Sequence, residues 1–170
     1  ELYLKRLIVG GMDKVFEMNR NFRNEGLDRT HNPEFTALEI YEAYGDMRSM
    51  QELVQSLVTH LAQKIFGRME VEWMGNTINL ATPWKEIAYR DLIKERLGAD
   101  WFEKSLDEAR AKAAELELHT DKDMDFAAVT HEIYEKSIEG TLIQPTFVTR
   151  LPAYLVPLAN PCADDPTLVD

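Results

Sequence analysis

Residues 15–44, VFEMNRNFRNEGLDRTHNPEFTALEIYEAY, decide how the rest of the chain is read. From Val15 to Arg23 the residues alternate. Phe16, Met18 and Phe22 fall on one face, and Glu17, Asn19, Asn21 and Arg23 on the other. A second alternating run follows, with Leu38 and Ile40 on one face and Phe35, Ala37, Glu39, Tyr41 and Ala43 on the other. A period of two belongs to a half-buried strand. Two such runs joined by about ten residues predict an antiparallel hairpin with a long tip. Its apolar side is expected to face the core, with Arg23, Glu39 and Tyr41 on an open polar surface. The tip is densely charged: residues 22–36 carry two arginines, two glutamates, an aspartate and a histidine, closed at each side by a phenylalanine.

Outward from the hairpin, SMQELVQSLVTHLAQKIFG (49–67) reads as an amphipathic helix. Ser49 and Glu52 have capping-box spacing, and Gly67 suits the stop. Leu53, Val54, Leu57, Val58, Leu61, Ala62 and Ile65 form a stripe expected to face the core, and His60 is read as structural or solvated. WMGNTINL (73–80) predicts a short hairpin, and Thr82 and Pro83 are expected to open a helix reaching Leu97. From Asp100 to about Gly140 the texture is helical and charged, an insertion whose apolar positions are expected to pair among themselves. TLIQPTFVTRLP (141–152) returns to β structure before a Pro-rich, loop-like tail. The predicted organisation is a core over 1–98, a helical insertion over 99–140 and a return to the core over 141–170. The fold class is α+β, an antiparallel sheet flanked by helices.

A chain of 170 residues, 45% hydrophobic and 29% charged, has the composition of a globular domain with a real core. No apolar run approaches the roughly 20 residues needed to span a bilayer, and no signal peptide opens the chain, so no membrane partner is expected. Cys162 is the single cysteine and cannot close an internal disulfide, which points to the cytoplasm. A net charge of −11 argues against a broad, non-specific grip on nucleic acid. A local anion site needs only a few placed groups. Glu1 opens the chain without a Met and Asp170 closes it without a capping element, so both ends are expected to be internal to a longer protein.

The chemistry of the tip starts with Arg23, whose guanidinium at a strand end presents a fork of donors suited to phosphate or carboxylate. Glu25 can accept from an exocyclic amine, His31 and Asn32 add polar groups, and Phe35 offers a flat ring for stacking. Together these describe an adenine nucleotide site, and the absence of a Gly-rich P-loop excludes the Walker type. The residues alone also allow a plainer reading, in which Arg23 pairs with Glu25 or Glu39 to fix the hairpin. Glu39 and Tyr41 suit a cationic amine ligand, or else decorate the strand surface.

FRNEGLDRTHNPEFTALEIYEAYGDM (22–47) strongly resembles motif 2 of class II lysyl-tRNA synthetases. ELYLKRLIVGGMDKVFEMNRNFRNEG (1–26) resembles the stretch leading into that motif, and LIQPTFVTRLPAYLVPLAN (142–160) the segment after the helical insertion. The resemblance implies part of the class II catalytic core. It implies an enzyme that activates lysine with ATP and Mg²⁺ to lysyl-adenylate and then esterifies it to tRNA, the intact enzyme being a homodimer. By matched position, Arg23 would be the catalytic residue, binding both the α-phosphate and the lysine carboxylate. Glu25 would read the adenine amino group, Phe35 would stack on the base, and His31 and Asn32 would sit near the triphosphate. Glu1 and Glu39 would accept from the lysine α-ammonium, with Tyr41 near the side-chain amine. Motif 1, the lysine-binding strand beyond Asp170, the Arg-containing motif 3 and the metal-binding residues are expected outside these 170 residues, so that the isolated piece is expected to be inactive. Arg150 and Tyr154 depart from the pattern by standing where carboxylates are usual. Two alternatives remain at this stage. One is the related enzyme that lysylates an elongation factor, although its glutamate is usually followed by Trp-Tyr where this chain has Ile40-Tyr41. The other is a non-catalytic binding or assembly piece of the same fold.

Overall fold

A computed structural model describes residues 1–170 except Glu25, Arg29 and Thr30. The described residues form two compact units, Glu1–Gln51 and Glu52–Asp170, and each is built differently.

In the first unit, α1 (Leu2–Val9) precedes the hairpin of β1 (Lys14–Phe22) and β2 (Glu34–Glu42). The strands pair antiparallel in unbroken register from Lys14 opposite Glu42 to Phe22 opposite Glu34. Arg23 N–H extends the pairing by donating to Pro33 O at 2.9 Å. Glu17 faces Glu39, Asn21 faces Phe35 and Val15 faces Tyr41, so the polar residues of both strands share one side. The expectation for the other side is overturned. Phe16, Met18, Phe22 and Leu38 are exposed, whereas Phe35, Ala37, Glu39 and Tyr41 are partly covered. The physical reason is that α1 packs on the hairpin from the polar side, where Lys5 lies 5.9 Å from the Tyr41 ring centre. Among the apolar residues of the opposite side, only Ile40, near the base of β2, is partly covered.

The long helix α2 (Met47–Phe66) starts three residues before the position that a Ser49 cap sets. Asp46, not Ser49, is its cap. Ser49 N–H donates to Asp46 Oδ1 at 2.8 Å, and Asp46 N–H donates to Ser49 Oγ at 3.1 Å. This reciprocal pairing uses Ser49 as the third residue of the box, where Glu or Gln is more usual. Gly67 ends the helix at φ +65°, a left-handed conformation that glycine adopts without a Cβ penalty. The apolar stripe of α2 is only partly covered: Ala62 is buried, while Leu61 and Ile65 are exposed.

The second unit holds β3 (Glu70–Trp73) and β4 (Asn76–Asn79) as a hairpin, then β5 (Lys85–Ala88), α3 (Tyr89–Leu97), α4 (Leu106–Glu115) and α5 (Phe126–Ile133). A π-helical turn (Tyr134–Ile138) follows, then β6 (Thr146–Thr149), β7 (Leu151–Pro152) and β8 (Leu168–Val169). Residues 85–88 are therefore strand, not the first turn of a helix opened by Pro83. They pair with β6 in parallel, which brings together segments on either side of the helical region. The other three ladders are antiparallel, so the α+β class holds with mixed strand directions.

Residues 100–140 contain helices and turns but no strand. Their packing differs from the expectation. Trp101, Ala109, Ala113, Val129, Ile133 and Ile138 share one buried cluster with Tyr89, Leu92 and Ile93 of α3 and Ile87 of β5, and Val148 and Leu151 pack against it. On α4 the buried positions are alanines, which let it pack closely, chiefly against α5. The helical region and the strands flanking it thus share a single core. Ser105 and Glu108 form a complete capping box at the start of α4, and Asp125 caps α5 by accepting from Ala128 N–H at 2.8 Å.

Candidate functional site

The site residues of the hairpin fall into two groups along its partly covered face. At the tip end, the Arg23 guanidinium lies over the Phe35 ring, 5.2 Å from its centre. A guanidinium stacked in this way is held flat while its edge N–H groups stay available to an anion. His31, also at the tip, is held by Asp28: its backbone N–H donates to Oδ1 at 2.7 Å, and Nδ1 lies 2.9 Å from Oδ2. Asp28 N–H returns the contact by donating to His31 O at 3.1 Å. His31 and Asn32 are exposed on this turn. Glu25 lies outside the described residues.

Toward the base of the hairpin, the Tyr41 hydroxyl donates to Glu39 Oε2 at 3.2 Å. The same Oε2 lies 3.5 Å from the α-amino nitrogen of Glu1. Glu1 also bonds Lys5 through its side chain, and that hydrogen bond and charge hold its carboxyl below the usual range. Partial burial, and then the charge of Glu39, push the Tyr41 phenol up, so it is a neutral donor at neutral pH. Glu17, placed on the polar face by its alternation but given no role, stands directly across from Glu39. Two carboxylates opposite each other repel unless a cation sits near them. Only the register reveals this pair, because it requires knowing which residue of β2 meets residue 17.

Phe35 and Glu39 are four residues apart on one strand, roughly 13 Å at the usual rise. The aromatic and guanidinium pair at one end and the carboxylate and phenol at the other therefore lie on one side of β2, separated by the span of an extended small molecule. Chemically, the first end can stack a flat ring and hold an anion, and the second can hold an ammonium group. Among the described residues no three His, Cys, Asp or Glu side chains converge to hold a metal ion. No helix of the described residues is long and apolar enough to cross a membrane.

The departures at 150 and 154 each have a partner within the second unit. Arg150 forms a two-pronged pair with Asp164, at 3.1 Å and 2.8 Å. That pair holds the Asp164 carboxyl below its ordinary range and steadies Arg150 in a left-handed backbone conformation at φ +55°. The Tyr154 hydroxyl donates to Ala127 O at 3.1 Å, tying the return segment to α5. Cys162 is buried nearby, and burial pushes its thiol up, away from the reactive thiolate.

Comparison with known proteins matches residues 1–169 to the family described as tRNA synthetases class II (D, K and N). The chain is 45% identical over 169 residues to a lysine–tRNA ligase of Carboxydothermus hydrogenoformans, covering 99% of this chain and 35% of that protein. It is 44% identical over 171 aligned residues to a lysine–tRNA ligase of Staphylococcus aureus strain MW2, covering 100% of this chain and 34% of that protein. The chain thus spans about a third of the length of these relatives. A match running through the hairpin, the helical region and the return strands shows that the chain belongs to the class II tRNA synthetases of the D, K and N group, and that it corresponds to a catalytic-domain stretch of lysine–tRNA ligases.

Proposed function

We propose that these residues are the part of a lysine–tRNA ligase that holds ATP and lysine on the charged hairpin, for formation of lysyl-adenylate and transfer of the lysyl group to tRNA. The observation that carries this reading is the Arg23–Phe35 stack at one end of a strand face whose other end carries Glu39 and Tyr41. Adenine would rest on Phe35, which requires the guanidinium to leave that ring face or the base to take the opposite one. Arg23 would then bridge the α-phosphate and the lysine carboxylate. Its fixed positive charge would offset the charge that develops as carboxylate oxygen attacks phosphorus, with pyrophosphate leaving. Glu39 would accept from the lysine α-ammonium together with Glu1, and Tyr41 would lie near the side-chain amine. Glu25 would discriminate adenine by accepting from its amino group, and His31 and Asn32 would line the triphosphate. Mg²⁺ would neutralise phosphate charge, and no residue of this chain is assigned to it. The intact enzyme would act as a cytoplasmic homodimer, and the 170 residues alone would lack turnover.

The test is a chimera in which these residues replace the matching stretch of the Staphylococcus aureus enzyme, assayed by lysine-dependent exchange of pyrophosphate into ATP. The chimera should exchange, whereas the separate chain should stay at background. Arg23→Ala in the chimera should cut exchange by about a hundred- to a thousandfold, the scale for removing a donor aimed at developing charge. Near-normal exchange in that variant would remove Arg23 from the mechanism. Phe35→Ala should weaken ATP and GTP alike, by roughly ten- to a hundredfold, because stacking is indifferent to the base. Glu25→Gln should instead erode the preference for ATP over GTP.

A further inference from the structure

The groups assigned to an ammonium ligand at the base of the hairpin already face an ammonium group of the chain. Lys5 lies one helical turn beyond Glu1, so the two side chains rise from the same face of α1. Lys5 Nζ bonds the Glu1 carboxylate at Oε1 and lies 5.9 Å from the centre of the Tyr41 ring. The Tyr41 hydroxyl in turn donates to Glu39 Oε2. The Lys5 ammonium thus stands among Glu1, Tyr41 and Glu39, and these groups push its pKa up, Glu1 most strongly. Glu17 adds a further carboxylate across the strands from Glu39.

Carboxylates gathered on the polar side of a hairpin repel one another unless a cation stands near. Within the chain, Lys5 supplies that cation. Its hold is light: the Lys5 and Glu1 side chains are 53% and 61% exposed, and an exposed pair of this spacing contributes little. The long, flexible stem of Lys5 can carry its ammonium into water while α1 stays in place. An incoming ammonium group therefore exchanges one cation for another, and the carboxylates are balanced before and after.

We infer that Lys5 is an internal competitor for the ammonium end of the site: a lysine ligand binds by displacing the Lys5 ammonium from Glu1 and from the Tyr41 ring. This role rests on the assignment of Glu1, Glu39 and Tyr41 to lysine in the proposed function. The test uses the chimera described above, with KM for lysine and kcat read from pyrophosphate exchange. Lys5→Met keeps a helical stem and removes the charge. It should lower KM for lysine by about two- to fivefold, the change falling on KM rather than kcat. Lys5→Arg, which keeps a cation, should hold KM at or above the unsubstituted value. A lysine that only braced Glu1 or α1 would give the opposite sign, with KM rising in Lys5→Met. Glu39→Gln reports on the underlying assignment and should raise KM by about ten- to a hundredfold. If Glu39→Gln raises KM while Lys5→Met leaves it unchanged or raises it, Lys5 is no competitor and the assignment of Glu39 stands. Equal falls in Lys5→Met and Lys5→Arg also overturn competition by charge. A chimera that does not exchange, or a Glu39→Gln variant with unaltered KM, overturns the assignment and the role of Lys5 with it.

Discussion

The hairpin and the helical region of this chain solve opposite problems with similar amounts of hydrophobic sequence. Between Tyr89 and Ile138, apolar side chains disappear into a common core: Leu92, Ile93, Val129 and Ile133 are all at 0% exposure. In the hairpin, Phe16 and Phe22 are both 73% exposed, and the order of the strands comes from backbone pairing and charge instead. Lys14 pairs with Glu42 at 2.7 Å and Arg20 with Glu34 at 3.3 Å, the second pair solvated on both sides and the first on its lysine side. Such pairs contribute little individually, about 0–1 kcal/mol. A two-stranded ribbon is marginal without a covered apolar face. The lesson is that the residues with chemistry to offer stand on the element least supported by packing, while the well-packed region carries conventional stability.

The comparison breaks first on core substitutions. Trp101→Ala should destabilise the chain by about 3–5 kcal/mol, because it removes a fully buried ring and its hydrogen bond to Thr130. Phe16→Ala should change stability by less than about 0.5 kcal/mol, the range for an exposed position. Urea unfolding of the two variants checks both values, and equal losses would show that the hairpin is as well packed as the helices.

A second, smaller effect comes at high pH. Burial raises the Tyr89 phenol above its unfolded value, so the folded state holds that proton more tightly than the unfolded one. The resulting stability is complete below the unfolded value of about 10 and declines as pH rises beyond it. Tyr89→Phe should therefore flatten the alkaline limb of a stability–pH curve measured by denaturant unfolding at a series of pH values. An unchanged limb would mean that Tyr89 ionises as readily folded as unfolded.

The smallest effect sharpens the contrast at helix starts. Ser105→Ala should cost about 1 kcal/mol in the same unfolding experiment, because it opens the capping box of α4. Asp46→Ala removes an equally well-formed cap from α2. If the cooperative transition reports mainly the core of the second unit, Asp46→Ala should move it less than Ser105→Ala does.

Much of this was legible in the residues. The period-two runs gave both strands. The departures at Arg150 and Tyr154 were visible as departures, but their partners, Asp164 and the Ala127 carbonyl, lie 14 and 27 residues away and could not be read. The start of α2 was misjudged because Ser49 is chemically equivalent as cap or as third residue of a box. Residues 85–88 were misjudged because a four-residue strand after proline carries no periodic signal. Its evidence is β6, about sixty residues on, beyond any local window.

By itself, the sequence determined which side chains share a strand face and which family the hairpin resembles, since alternation and motif spacing are local properties of the chain. Tertiary structure alone decided which face is covered, since α1 can approach a hairpin from either side and here takes the polar one. It also decided that Glu17 stands across from Glu39 and that α3 shares one core with the helical region. Each of these depends on pairings between distant segments, where register and packing, not the residues' own preferences, choose the partner.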